Sequence, residues 1–84
     1  MKLGKVTASV VAPTKHAGLD GAKLLIVELV DGERLIAIDA VGAGVGSEVI
    51  VATGSHACAL VRPQAPVDAV IVGIVEQRQG RSGQ

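Results

Sequence analysis

At 84 residues the chain is a single domain, close to the size at which a lone hydrophobic core is marginal. Its eight basic and eight acidic side chains cancel, which excludes a field that would gather polyanions or acidic membranes. Its single cysteine, Cys58, excludes an intrachain disulfide, and no Cys/His cluster has structural-zinc spacing. Apolar residues make up 49% of the chain and aromatic residues none, so the core is built from Val, Ile, Leu and Ala. That apolar share is high for a small monomer, and the excess is expected to be buried between chains. Met1 to Lys5 lacks the apolar run of a signal peptide. The longest apolar stretch, Ala69 to Val75, falls far short of the ~20 residues of a membrane-spanning helix. Cytoplasmic residence and no membrane partner are expected.

Lys5 to Val10 alternates polar and apolar, the period of a half-buried strand, with Val6, Ala8 and Val10 on one face. Pro13 ends it, because proline cannot donate to a sheet ladder, and Thr14 to Gly21 reads as a loop. Lys23 to Val30 is a nearly continuous apolar run, read as a strand covered on both faces. Asp31-Gly32 is a strong hairpin signal. It leads into a return strand over Glu33 to Val41, with Leu35, Ala37 and Asp39 on one face and Arg34, Ile36 and Ile38 on the other. Gly42-Ala43-Gly44-Val45-Gly46 follows, then a fourth strand over Glu48 to Thr53. Gly54 to Leu60 forms a short helix with Ser55 as its N-cap. Arg62 to Pro66 is a proline-bounded connection, Val67 to Val75 a fifth strand and the most buried by composition. The polar stretch 77–84 is expected to be a mobile tail beyond a domain of residues 1–76. Five short strands and one short helix make an all-β chain of the small-barrel type.

The glycines at 42, 44 and 46 are the most pointed local feature. Glycine is required where φ is positive or where another backbone comes too close for a side chain, so this loop is expected to press against a neighbouring subunit or a symmetry axis. A dinucleotide fingerprint would lead from a strand into a helix. Here the glycines lead into β-rich sequence, Ser47 stands in place of the last glycine, and no phosphate-loop Gly-Lys-Ser/Thr exists. His56 and Cys58 invite metal or thiol chemistry. With one residue between them they could share a strand face, but no third or fourth ligand lies near in sequence, and His16 could join only through folding or from another subunit. Ser55-His56 has no identifiable carboxylate partner or oxyanion pocket. Asp39 and Asp68 sit at strand–turn junctions, where carboxylates accept backbone N–H bonds. No catalytic residue, cofactor or metal is expected.

Four segments in order resemble the bacterial microcompartment vertex family, the small pentameric shell proteins of carboxysomes and ethanolamine-type organelles. They are Leu3-Gly4-Lys5-Val6 running into Val10-Val11-Ala12, and Gly21 to Val27. The third joins Asp39 to Gly46, Glu48 to Val51 and Gly54-Ser55; the fourth joins Pro66 to Ala69 and Ile71 to Val75. Two departures stand out. The hairpin at Asp31-Gly32 is shorter than in many members. Where the family often reads Gly-Ser-Ser-Ala-Arg after the fourth strand, His56 and Cys58 replace the second serine and the arginine.

The resemblance implies a five-stranded OB-like β-barrel assembled as a ring-shaped homopentamer that caps the vertices of a microcompartment shell. Hexameric and pseudohexameric shell proteins would be its neighbours. By the same analogy Gly42, Ala43, Gly44, Val45 and Gly46 form a pore or subunit-contact loop, and Lys15, His16, Gly54, Ser55, His56 and Arg62 are candidate shell-edge contacts. The oligonucleotide-binding-like topology raises nucleic acid as a rival partner, but a chain without aromatic side chains or net positive charge lacks both the stacking platform and the basic groove. The other reading is a small oligomeric β-barrel adaptor or ligand-binding ring outside any shell.

Overall fold

The computed structural model describes residues 1–63 and 66–76. The first strand, β1 (Lys2–Val10), turns Gly4 and Val6 inward and Lys5 and Thr7 outward. It pairs antiparallel with β2 (Leu24–Leu29), with a register shift between Val6 and Ala8, and its first half pairs with β4 (Glu48–Thr53). This bulge lets one long strand bend enough to serve two neighbours. The third strand, β3 (Arg34–Asp39), returns antiparallel to β2. The last, β5 (Ala69–Ile74), lies between β3 and β4, parallel to the former and antiparallel to the latter. The order β1-β2-β3-β5-β4 closes into a barrel, the OB-like arrangement expected from the sequence. The helix α1 (Ser55–Val61) packs outside it against β4 and β5.

The Asp31-Gly32 hairpin forms as expected. Gly32 has φ +93°, Leu29 N–H donates to the Glu33 carbonyl at 2.7 Å, and the Asp31 carboxylate accepts the Glu33 N–H at 2.9 Å. A left-handed residue following Asp is what makes so short a connection cheap.

Two separate apolar clusters result from strand alternation. The barrel interior holds Val6, Leu25, Val27, Leu29, Ala37, Val49, Val51 and Ile71, together with Ala43 from the glycine loop. A second cluster lies outside the barrel wall, where Ile38 and Val70 pack with Cys58 of α1. Burial at the start of β5 is therefore two-sided: Ala69 and Ile71 point in while Val70 points out, and all three are buried.

Four local expectations change. The first strand starts at Lys2, because Leu3 and Gly4 pair with Ile50 and Val49. The run through β2 is covered on both faces only near Leu24, which packs on the outer cluster, whereas Glu28 on the same face is exposed. Ser55 is not the N-cap; Gly54 holds that place at φ +100° without a side-chain capping bond, and Ser55 is the first helical residue. The loop over 14–21 contains a 3-10 turn, Ala17–Leu19, capped by His16. The expected tail, 77–84, lies outside the described residues. Among the described residues no helix is long and apolar enough to cross a membrane.

Candidate functional site

The loop after β3 is organised by the Asp39 side chain, which is only 2% exposed. Its carboxylate accepts the Val41 N–H at 3.1 Å and the Gly42 N–H at 3.1 Å, and Lys23 Nζ stands 3.3 Å away. The same ammonium donates to the Ala43 carbonyl. Burial pushes the Asp39 carboxyl up, but the Val41 and Ala43 N–H groups and the Lys23 ammonium together outweigh it and hold the carboxyl below its ordinary value.

This shift fixes a sign for the pH dependence of stability. The unfolded carboxyl titrates near ~3.9 and the folded one lower, so the stabilisation is complete above that value and is lost as pH falls through the folded pKa. Asp39→Asn is therefore expected to lower stability by about 1–2 kcal/mol at pH 7. Urea unfolding should show the gap to the parent closing below about pH 4.

Beyond Asp39 the chain turns at Gly42 (φ +86°) and Gly46 (φ +94°), conformations that β-carbon-bearing residues rarely adopt. Between them Ala43 is 1% exposed and joins the barrel core. The loop thus presses on its own barrel, through Ala43. Ser47 closes the turn, its hydroxyl accepting the Gly44 N–H at 3.2 Å and its N–H donating to the Gly44 carbonyl at 3.0 Å. Reciprocal bonds then tie the loop to β1: Val6 N–H to the Ser47 carbonyl and Gly46 N–H to the Val6 carbonyl, both 2.9 Å. Val45 stands out at the tip, 66% exposed. Gly44 has neither a positive φ nor any atom within 4 Å of where a Cβ would stand, so nothing within one chain requires a glycine there.

The shell-edge candidates come from the segment before β2 and from the two ends of α1. Lys15 Nζ reaches the Ala12 carbonyl at 3.5 Å, and His16 Nδ1 accepts the Gly18 N–H at 2.8 Å. Arg62, just past α1, donates from Nε to the Gly18 carbonyl at 3.2 Å and from Nη2 to the Asp20 carbonyl at 2.6 Å. That clasp brings Arg62 and the His16 segment together, a contact across more than forty residues that no local pattern signals. Gly54, Ser55 and His56 lie exposed at the other end of the helix, where Gly54 N–H donates to the Asp68 main-chain carbonyl at 2.8 Å. That bond continues the β4–β5 pairing one step beyond Thr53 and Ala69.

His56 and Cys58 do not form a site. In the helix His56 faces solvent, while Cys58 is buried with its Sγ 3.9 Å from the Ala52 carbonyl. Burial pushes the thiol pKa up, and the Asp68 charge adds to it, so the thiol stays protonated and unreactive at neutral pH. Among the described residues no group of three metal-ligating side chains comes together. An open groove of about 390 Å³ runs past Leu3, Lys5, Glu28, Val30 and Glu48. Its two carboxylates flank Lys5 in register across β2, β1 and β4, a solvated row of alternating charge.

Comparison with known proteins places this barrel. The family model described as ethanolamine utilisation protein EutN/carboxysome matches residues 1–76. The shell vertex protein EutN of Salmonella typhimurium is 40% identical over 92% of this chain and 85% of its own. The carboxysome shell vertex protein CcmL of a Synechocystis species is 40% identical over 99% of this chain and 90% of its own. The solved GrpN pentameric microcompartment shell protein of Rhodospirillum rubrum superimposes with a TM-score of 0.82 at 39% identity, covering 96% of this chain and 100% of that one. By that match and those identities, this chain belongs to the ethanolamine utilisation protein EutN/carboxysome family.

Proposed function

We propose that five copies of this chain close into a ring that caps the vertices of a bacterial microcompartment shell, bordered by hexameric and pseudohexameric shell proteins. The observation that carries this reading is the end-to-end likeness to a chain solved as a pentameric microcompartment shell protein. A physical observation supports it. The barrel interior is filled by one chain, yet Val30, Ile36, Val45, Leu60 and Ile74 are each at least half exposed. A ring that closes by rotation uses two different patches of every copy, and aliphatic surface of this kind is what such contacts bury.

The work is geometric. A sheet of flat hexamers closes only where pentagons introduce curvature, so the chain acts by shape and needs neither a catalytic group nor a cofactor. Gly42, Gly44, Val45 and Gly46 face the ring centre or the next copy, while Ala43 seats the loop on the barrel. Lys15, His16, Gly54, Ser55 and His56 face adjoining shell tiles, and Arg62 holds that edge in shape.

Native mass spectrometry of the purified chain is expected to give a species of five times the 8.4 kDa chain mass. Co-expression with shell hexamers should yield closed particles that become gapped when this chain is omitted. A stable monomer, or a closed ring of six, would overturn the role as a pentagonal cap.

A further inference from the structure

The pairing of Lys23 with Asp39 is asymmetric: the carboxylate is 2% exposed and the ammonium 50%. One side chain at the protein surface therefore holds a buried charge that in turn holds a loop. Just before β2, Lys23 reaches across to the end of β3 and bridges the turn, taking both the Asp39 carboxylate and the Ala43 carbonyl. Asp39 spans the same turn from below, fixing the Val41 and Gly42 N–H groups. The backbone from Asp39 to Ala43 is thus closed into a small unit by two side chains, and Ala43 is the residue that seats the loop in the barrel core.

We propose that Lys23 is the positioning residue of the glycine loop, a latch that sets the path of residues 40–46 in the single chain before any neighbouring copy is present. Two features of the loop call for such a latch. It contains three glycines, and Gly44 adds backbone freedom that neither its φ nor its surroundings require within one chain. It also buries only one small side chain, Ala43, because Val45 points outward. A segment with so little apolar burial opens locally at small cost. Polar fixing by Lys23 supplies what packing does not. On the vertex reading this loop faces the ring centre, so Lys23 would set the shape of that opening from outside it. The latch itself is a property of the single chain and stands or falls independently of the shell.

The test is amide hydrogen exchange on the full-length chain and on Lys23→Met and Lys23→Arg, read residue by residue with urea stability measured alongside. Lys23→Met is expected to speed exchange at Val41, Gly42 and Gly44 by about tenfold, with β1, β2 and β5 amides unchanged. Lys23→Arg, which keeps the charge but changes the donor geometry, is expected to restore part of the protection. Unchanged loop protection in Lys23→Met would overturn the proposal. So would equal acceleration across all five strands, which would make the pair a general stabiliser. A chain that proves monomeric in solution but shows the local effect would keep the latch and discard the ring.

Discussion

Gly4→Ala is expected to destabilise the chain by about 1–3 kcal/mol, and Gly4→Val by more, through overpacking where a side chain has no room. A Cβ at Gly4 would stand 2.6 Å from Val27 Cγ1, 2.9 Å from the Glu28 carbonyl oxygen and 3.1 Å from Leu29 Cδ2. The first and last neighbours can rotate. The carbonyl belongs to the β1–β2 ladder and moves only if the strand moves, and β1 is held on its other edge by β4. Urea unfolding at one fixed protein concentration measures the loss, because any association would make apparent stability concentration-dependent. Gly73→Ala is the control. Its Cβ would meet Ile50 Cδ1 at 3.4 Å, an ordinary contact, so the loss there should be much smaller.

Ile71→Ala is expected to cost about 2–5 kcal/mol, a large part of the roughly 5–15 kcal/mol that holds a typical small domain together. Ile71 is fully buried and sits where the barrel closes, paired with Val51 of β4 on one side and Asp39 of β3 on the other. Its main-chain carbonyl also accepts the Ala40 N–H at 3.2 Å, at the entry to the glycine loop. Truncation therefore opens a cavity in the interior beside the parallel β3–β5 pairing. Val70→Ala, one residue away, empties the outer cluster instead and should leave more of the barrel intact. Thermal unfolding followed by far-ultraviolet circular dichroism would separate the two, the Ile71 variant showing the larger drop in midpoint.

Period-two alternation makes the first strand legible in the sequence, short apolar runs bounded by turn residues make β2 and β5 so, and Asp-Gly marks the hairpin, since all are local chemistry. The fourth strand is readable to its ends, Glu48 and Thr53, because the glycine loop and Gly54 bound it. The helix is placed but its cap is not: Ser55 is a good capping residue, yet Gly54 at positive φ already makes the turn out of β4 and moves the cap back by one residue. Tertiary partners decided what stayed hidden. Ala43 looked like one more small residue in a glycine-rich loop, and only the closed barrel shows it seated in the core. Arg62 reads as the start of a proline-bounded connection and a shell-edge contact, while its guanidinium is committed to the Gly18 and Asp20 carbonyls. Lys23 was read only as the polar start of a strand; its pairing with Asp39 follows from the β2–β3 register, in which Lys23 lies one step beyond the Leu24–Ile38 pair.

The division of the apolar residues into an inner cluster and an outer one has a consequence for how the molecule comes apart. The outer cluster lies between α1 and the barrel wall, a seven-residue helix secured mainly by Cys58 over Ile38 and Val70 and by the Arg62 clasp. With so little holding it, that helix is expected to open at lower cost than the strand ladder beneath it. Cys58 is its built-in reporter, since it is buried under that helix and is the chain's only thiol. The rate at which a thiol reagent labels this chain therefore clocks the lifting of one helix, separately from the melting of the barrel beneath it.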